Sequence, residues 1–299
     1  MSDRKLWYIL AAVLIVSFAV LLYLGDDIYN KQPPIPEKVV TTEGQVLFTG
    51  QDIKDGQNVW QSMGGQEVGT VWGHGSYVAP DWTADWLHRE SMYILNHLAN
   101  EQFGKDFDNI PVDQQARLKA LLQEEVRKNT YDPETKTLTI TPVRAEAIEA
   151  VSKHFAGVFM DNPDMAKLRE DYAIPENAIK NAGRMKLMNE FFFWTSWAAV
   201  TDRPGDNVTY TNNWPHEELV ANRPTAALTL WTGFSVILLL AGIGGLAAYY
   251  AKNRDDEFNP NEFPDKDPLL GLKPTASMKA TLKYFWIVMF LIVLQIVMG

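Results

Sequence analysis

Three stretches of the chain are apolar and carry no charged residue: 6–24, 226–250 and 284–299. An uncharged stretch of about 20 residues matches the ~30 Å hydrocarbon core of a bilayer. Because backbone amides in lipid need partners within their own segment, each stretch predicts a helix. The third stretch stops at Gly299, which indicates a fragment of a longer protein. The pattern therefore predicts a mainly α membrane protein.

The charges beside these stretches indicate their orientation. Basic residues precede the first stretch, follow the second and precede the third: Arg4, Lys5, Lys252, Arg254, Lys273, Lys279 and Lys283. Cytoplasmic segments are enriched in Lys and Arg, so the N-terminus and the 251–283 loop are expected in the cytoplasm. A cleaved signal peptide is the alternative for the first stretch, but no small-x-small cleavage site follows Leu24.

The same pattern divides the chain into five segments. Residues 1–25 are expected to form a transmembrane anchor, 26–225 an extracytoplasmic domain, 226–251 a second transmembrane helix, 252–280 a cytoplasmic connector and 281–299 the truncated start of further membrane helices. With the N-terminus inside, the protein is expected to be a multi-pass membrane protein.

Local sequence signals predict that the domain is mostly helical. Asp81 is a plausible N-cap for a long helix that begins at Trp82. Five glycines among residues 63–75 predict a loop, and 137–141 (TLTIT) predicts a short strand. Further helices are predicted over 52–60, 112–129, 142–160 and 176–200.

Composition excludes several kinds of chemistry. The chain has no cysteine, which excludes iron–sulfur clusters, thiol catalysis and thioether-linked haem within it. Its net charge of −10 argues against a nucleic-acid partner. None of the five histidines lies in an apolar stretch or in a His-x-x-x-His spacing.

Three local patterns have both a structural and a functional interpretation. The run from Asp85 to Glu90 favours an intrahelical Asp85–Arg89 ion pair, with a ligand or proton-transfer role for His88 as the alternative. The glycines of 73–80 permit close packing or a polar or metal-adjacent contact. The aromatic stretch 191–200 predicts a buried core helix, an interfacial belt, or both.

Small residues form a flat face on the second apolar helix. The small-x-x-x-small pairs are Ala241 with Gly245 and Gly244 with Ala248. Such a face lets another helix approach closely. Packing within the protein and packing across a homodimer are both open.

Three long motifs resemble a known family: 72–90 (WGHGSYVAPDWTADWLHRE), 191–200 (FFFWTSWAAV) and 208–216 (VTYTNNWPH). They are similar to the N-terminal part of quinol-dependent nitric oxide reductase, a single-chain member of the haem–copper oxidase superfamily. The resemblance extends over essentially the whole chain. It implies that the extracytoplasmic domain is a cytochrome c-like module without haem, and that 281–299 begins the catalytic helices.

The resemblance also implies a reaction, its cofactors and its partners. Nitric oxide would be reduced to N2O with electrons from membrane quinol, using a low-spin haem b, a high-spin haem b and a non-haem iron whose ligands are expected beyond Gly299. No catalytic or metal-binding residue is expected in residues 1–299. Gly75 and Tyr77 match residues that approach a haem-propionate-bridging calcium in two-subunit relatives. The competing hypothesis is a membrane-anchored ligand-binding, sensor or assembly module without catalytic activity.

Overall fold

The computed structural model describes residues 3–73, 79–257 and 284–292. Its helices are α1 Asp3–Lys31, α2 Gly50–Ser62, α3 Trp82–Phe103, α4 Val112–Arg127, α5 Pro142–Phe159, α6 Ala166–Asp171, α7 Ala182–Val200 and α8 Ala226–Glu257. The strands are β1 Lys38–Thr41, β2 Val46–Thr49, β3 Tyr131–Asp132 and β4 Thr137–Ile140. The chain forms two compact units, Met1–Trp231 and Thr232–Gly299. The fold is mainly helical, as the sequence predicts.

Two helices of the described part are long and apolar enough to cross a membrane. They are Trp7–Lys31 within α1 and Ala226–Tyr249 within α8, and neither span is buried against the rest of the protein. Their length and composition indicate a membrane-anchored protein. Residues 284–292 of the third apolar stretch are also helical.

Helix α7 is the centre of the domain core. Every residue from Met188 to Val200 on this helix is buried. The aromatic stretch 191–200 therefore lies in the core, which confirms the prediction of a buried core helix. Helix α2 crosses α7 so closely that a Cβ on Gly56 would lie 2.0 Å from the carbonyl oxygen of Leu187.

A small sheet closes one side of the core. Its strand order is β2-β1-β4-β3, with β1 antiparallel to β2 and parallel to β4. The predicted strand at 137–141 is confirmed as β4. The other three strands were not predicted, because each has at most four residues and depends on a partner that is distant or short.

The predicted helices are confirmed with shifts at their ends. The 176–200 helix begins only at Ala182, because the side chain of Asn181 accepts hydrogen bonds from the backbone of Gly183 and Arg184 and so fixes the start there. Asp81 caps α3 as predicted, through the backbone N–H groups of Thr83 and Ala84.

Candidate functional site

Hydrogen bonds join residues 70 and 73 to residues 80–82, on the two sides of the GSYVAP motif (75–80). The backbone N–H of Thr70 donates to the Pro80 carbonyl at 2.8 Å, and that of Trp82 donates to the Thr70 carbonyl at 2.9 Å. The Asp81 carboxylate accepts a further hydrogen bond from the backbone N–H of Gly73. We call these contacts the Asp81 clamp. The clamp fixes both ends of the chain between residues 73 and 79.

Asp81 performs two tasks with one carboxylate. It caps α3 and it also accepts from Gly73, so it receives three backbone N–H groups. Burial raises the pKa of Asp81, while these hydrogen bonds act in the opposite direction because they favour the charged form. The predicted site residues Gly75 and Tyr77 lie between the ends of the clamp, outside the described residues.

An aromatic cluster lies beneath the segment that precedes the clamp. The Trp82 ring contacts four other rings at centroid distances between 5.1 and 6.0 Å: Phe155, Phe159, Tyr172 and Phe192. Gly69 lies directly on the Trp82 indole, since a Cβ there would be 1.9 Å from Nε1. The indole of Trp60 donates to the Gly69 carbonyl at 3.2 Å.

A second aromatic group lines a pocket of about 460 Å³ between α2, α7 and the 66–72 segment. We call it the tryptophan pocket. Its lining residues are Gln57, Trp60, Gln66, Val71, Trp72, Phe191, Trp194 and Thr195. None of these lining residues carries a charge.

A buried ion pair joins α3 to α5. The Arg144 Nε lies 2.6 Å from the Glu90 carboxylate, and both side chains are nearly inaccessible to solvent. Trp86 and Ser196 donate to the same carboxylate at 3.1 and 3.4 Å. The Arg144 guanidinium also lies 5.4 Å from the centroid of the Phe193 ring. Through these contacts Glu90 holds α3, α5 and α7 together.

Glu190 is a second buried carboxyl, at the contact of α7 with α2. One of its oxygens is 3.8 Å from Lys186 Nζ, and the other is buried without a hydrogen-bond partner among the described residues. Burial, followed by the negative charge of Asp52, raises the pKa of Glu190 to about 7, against the opposing effect of Lys186.

The histidines of the described part do not converge. His88 contacts the Glu217 carboxylate at 2.8 Å, and His216 contacts the Asn222 carbonyl at 3.0 Å. His154 lies on α5, where burial lowers its pKa. Within residues 3–73, 79–257 and 284–292, no three His, Cys, Asp or Glu side chains are grouped to hold a metal ion.

The structure confirms the predicted Asp85–Arg89 ion pair and shows no packing partner for the predicted α8 face among the described residues. Arg89 Nε lies 3.0 Å from the Asp85 carboxylate, which confirms the ion pair. A Cβ at Gly244 or Gly245 would meet no atom within 4 Å. The packing partner of the Ala241, Gly244, Gly245 and Ala248 face therefore stays a prediction.

A comparison with known protein families gives this site its context. Residues 36–216 match the family model of the cytochrome c-like domain of the nitric oxide reductase protein NorB. The chain belongs to this family. Among curated proteins, none matches the chain. The match includes the Asp81 clamp, the Trp82 cluster and the tryptophan pocket, so the mostly helical domain between α1 and α8 is the cytochrome c-like domain.

The residues of this NorB-type domain do not fit a covalently attached haem. The chain has no cysteine to form a thioether. The segment that precedes the GSYVAP motif (75–80) lies on the Trp82 indole at Gly69. Protein rings thus fill the space beside this segment. The clamp and the cluster can position a loop and pack a core.

Proposed function

We propose that the chain is the membrane-anchored, cytochrome c-like part of a quinol-oxidising nitric oxide reductase of the single-chain type. The observation that carries this proposal is the family match together with the lack of any cysteine. A c-type haem would relay electrons from a soluble donor. Without one, a lipid-soluble donor is the simplest source of electrons.

Quinol balances the reaction. Two molecules of nitric oxide take up two electrons and two protons and give N2O and water, and oxidation of one quinol to quinone supplies both. In this proposal a low-spin haem b, a high-spin haem b and a non-haem iron belong to the catalytic membrane part of the enzyme. Residues 1–299 anchor the chain and cap that part from the extracytoplasmic side.

The Asp81 clamp supports a specific role for its loop. It holds the ends of the chain that carries Gly75 and Tyr77 at a fixed separation. We propose that these two residues contact a calcium ion or haem propionate of the catalytic part. The α8 face around Gly244 is proposed to pack on a neighbouring helix, within the enzyme or across a homodimer. The proposed location is the bacterial inner membrane, with residues 26–225 on the outside.

The electron donor is tested with the enzyme that contains this chain, in membranes, using a nitric oxide electrode. A short-chain quinol is expected to support nitric oxide consumption, while reduced soluble cytochrome c is not. The opposite pattern would refute the proposal of a quinol-dependent type. As a second readout, purified residues 1–299 are expected to show no Soret absorption band after expression with haem. A stoichiometric Soret band would contradict a haem-free cap.

A further inference from the structure

The tryptophan pocket has walls that are fixed before any ligand arrives. Each of its three indoles donates its N–H to a backbone carbonyl inside the domain: Trp60 to Gly69 at 3.2 Å, Trp72 to Thr195 at 2.8 Å and Trp194 to Pro34 at 3.0 Å. The rings therefore present faces and edges rather than N–H groups to the cavity. Rings held in this way lose little freedom on binding, which favours affinity.

The aromatic rings are arranged as a continuous row. Trp60 lies 5.7 Å from Phe191, Phe191 lies 6.1 Å from Trp194, and Trp194 lies 5.5 Å from Trp72, between ring centroids. Offset and tilted ring pairs at such distances attract one another. A further flat ring placed in the cavity would continue this row.

Two amide side chains supply the polar groups at the mouth. Gln57 and Gln66 line the pocket and are exposed, and neither amide hydrogen-bonds to another described residue. Each amide offers donors and an acceptor. The absence of charge in the lining disfavours an ionic ligand, because its lost hydration would not be compensated.

The pocket also lies close to the membrane anchor along the chain. The indole N–H of Trp194 donates a hydrogen bond to the carbonyl of Pro34, and α1 ends at Lys31. The seven helical residues 25–31 and the three residues after them extend at most about 20 Å from the end of the apolar stretch. A molecule dissolved in the membrane interface therefore has a short path to the pocket.

We propose that the tryptophan pocket binds a neutral, planar aromatic molecule that carries a hydroxyl or carbonyl group and partitions into the membrane interface. The ring stacks on the tryptophan row, and Gln57 and Gln66 hydrogen-bond to its oxygen. This proposal concerns binding only and does not rest on quinol oxidation. The binding proposal and the proposed function can therefore fail separately.

The test is isothermal titration of 2-naphthol into residues 1–299 in lipid nanodiscs, with empty nanodiscs as the blank. A saturable heat at one site per chain is expected. The anionic analogue 2-naphthalenesulfonate is expected to give none. No saturable heat with 2-naphthol, or equal binding of the two compounds, would overturn the proposal.

Paired variants connect binding to this pocket. Trp72→Ala removes one wall and is expected to weaken binding about tenfold, whereas Trp7→Ala, an exposed change near the start of α1, leaves it unchanged. Gln66→Leu keeps the walls and is expected to weaken binding about threefold, with Gln61→Leu on α2 as its control. Circular dichroism identifies variants that fold. Unchanged binding in folded Trp72→Ala, or in Gln66→Leu, would place the ligand elsewhere.

Discussion

Gly56 of α2 lies directly against the backbone carbonyl of Leu187 of α7. A Cβ at this position would be 2.0 Å from that oxygen and 2.8 Å from the Cβ of Phe191. Neither of these atoms can rotate away without moving the backbone of α7, so the two helices must separate to admit a methyl group. We expect Gly56→Ala to lower the free energy of unfolding by about 3 kcal/mol.

The measurement for Gly56→Ala is urea unfolding of the chain in detergent, followed by tryptophan fluorescence. Asn58→Ala, an exposed change on the same helix, is the matched control and is expected to stay within about 0.5 kcal/mol of the parent. Equal stability of the two variants would show that α2 and α7 do not pack as described.

Asp81 is expected to be important for the loop as well as for α3. Asp81→Ala removes the acceptor of three backbone N–H groups and should cost about 2 kcal/mol of stability. It should also speed proteolytic cleavage between residues 73 and 79, because Gly73 is released. Asp81→Asn keeps one acceptor oxygen and is expected to lose less. Identical cleavage rates in all three proteins would argue against the clamp.

The raised pKa of Glu190 predicts that the stability of the protein falls as the pH rises. Its folded-state pKa of about 7 lies above the ordinary value of 4.5, so the folded protein holds this proton more tightly than the unfolded chain does. The contribution of protonated Glu190 to the free energy of unfolding is complete below pH 4.5 and is lost as the pH rises toward 7. The loss amounts to about 3 kcal/mol.

Glu190→Gln should remove this dependence and should raise the unfolding midpoint at about pH 8 relative to the parent. Thermal unfolding of both proteins between about pH 5 and 8 measures the effect. Glu149→Gln on α5 is the control, since that carboxylate is exposed and pairs with Lys153. A parent protein whose stability does not fall over this range relative to Glu190→Gln would contradict the prediction.

The Glu90–Arg144 pair should couple strongly. Glu90→Leu or Arg144→Met alone leaves a buried charged partner unpaired and is expected to cost about 3–5 kcal/mol. The double variant Glu90→Leu with Arg144→Met should cost less than the sum, because no uncompensated charge remains. A double-mutant cycle by urea unfolding measures the coupling. Additive losses would mean that the two side chains do not interact.

The face of small residues on α8 yields a prediction about assembly. Replacing both Gly244 and Gly245 with Leu is expected to block close approach of a neighbouring helix. Cross-linking or size-exclusion with light scattering in mild detergent would report the change as a smaller oligomer. An unchanged oligomeric mass would count against a homodimer formed through this face.

The sequence predicted those parts of the fold that depend on local signals. The apolar runs indicated the membrane helices, and the Asp81 cap depends on residues two and three positions away. Strand β1 was missed because its parallel partner β4 lies about 100 residues further along the chain. No local pattern in residues 38–41 indicates that pairing.

The candidate site was predictable to a similar extent. Of the two glycines in 73–80, Gly73 makes close contacts, since its N–H donates to the Asp81 carboxylate, while Gly75 lies outside the described residues. The Glu90–Arg144 pair spans 54 positions and follows from no spacing rule. The tryptophan pocket was missed because Trp60, Trp72 and Trp194 are far apart in the sequence, and the aromatic stretch 191–200 is equally typical of an interfacial belt.

The hydrogen bond from the Trp194 indole to the Pro34 carbonyl has a mechanical consequence for the domain and its anchor. Only Gln32 and Pro33 lie between the end of α1 and the bonded residue. Such a short connection restricts the rotation of the domain relative to α1. The tumbling of the domain should therefore follow the slow rotation of its anchor, and the domain should keep one orientation relative to α1.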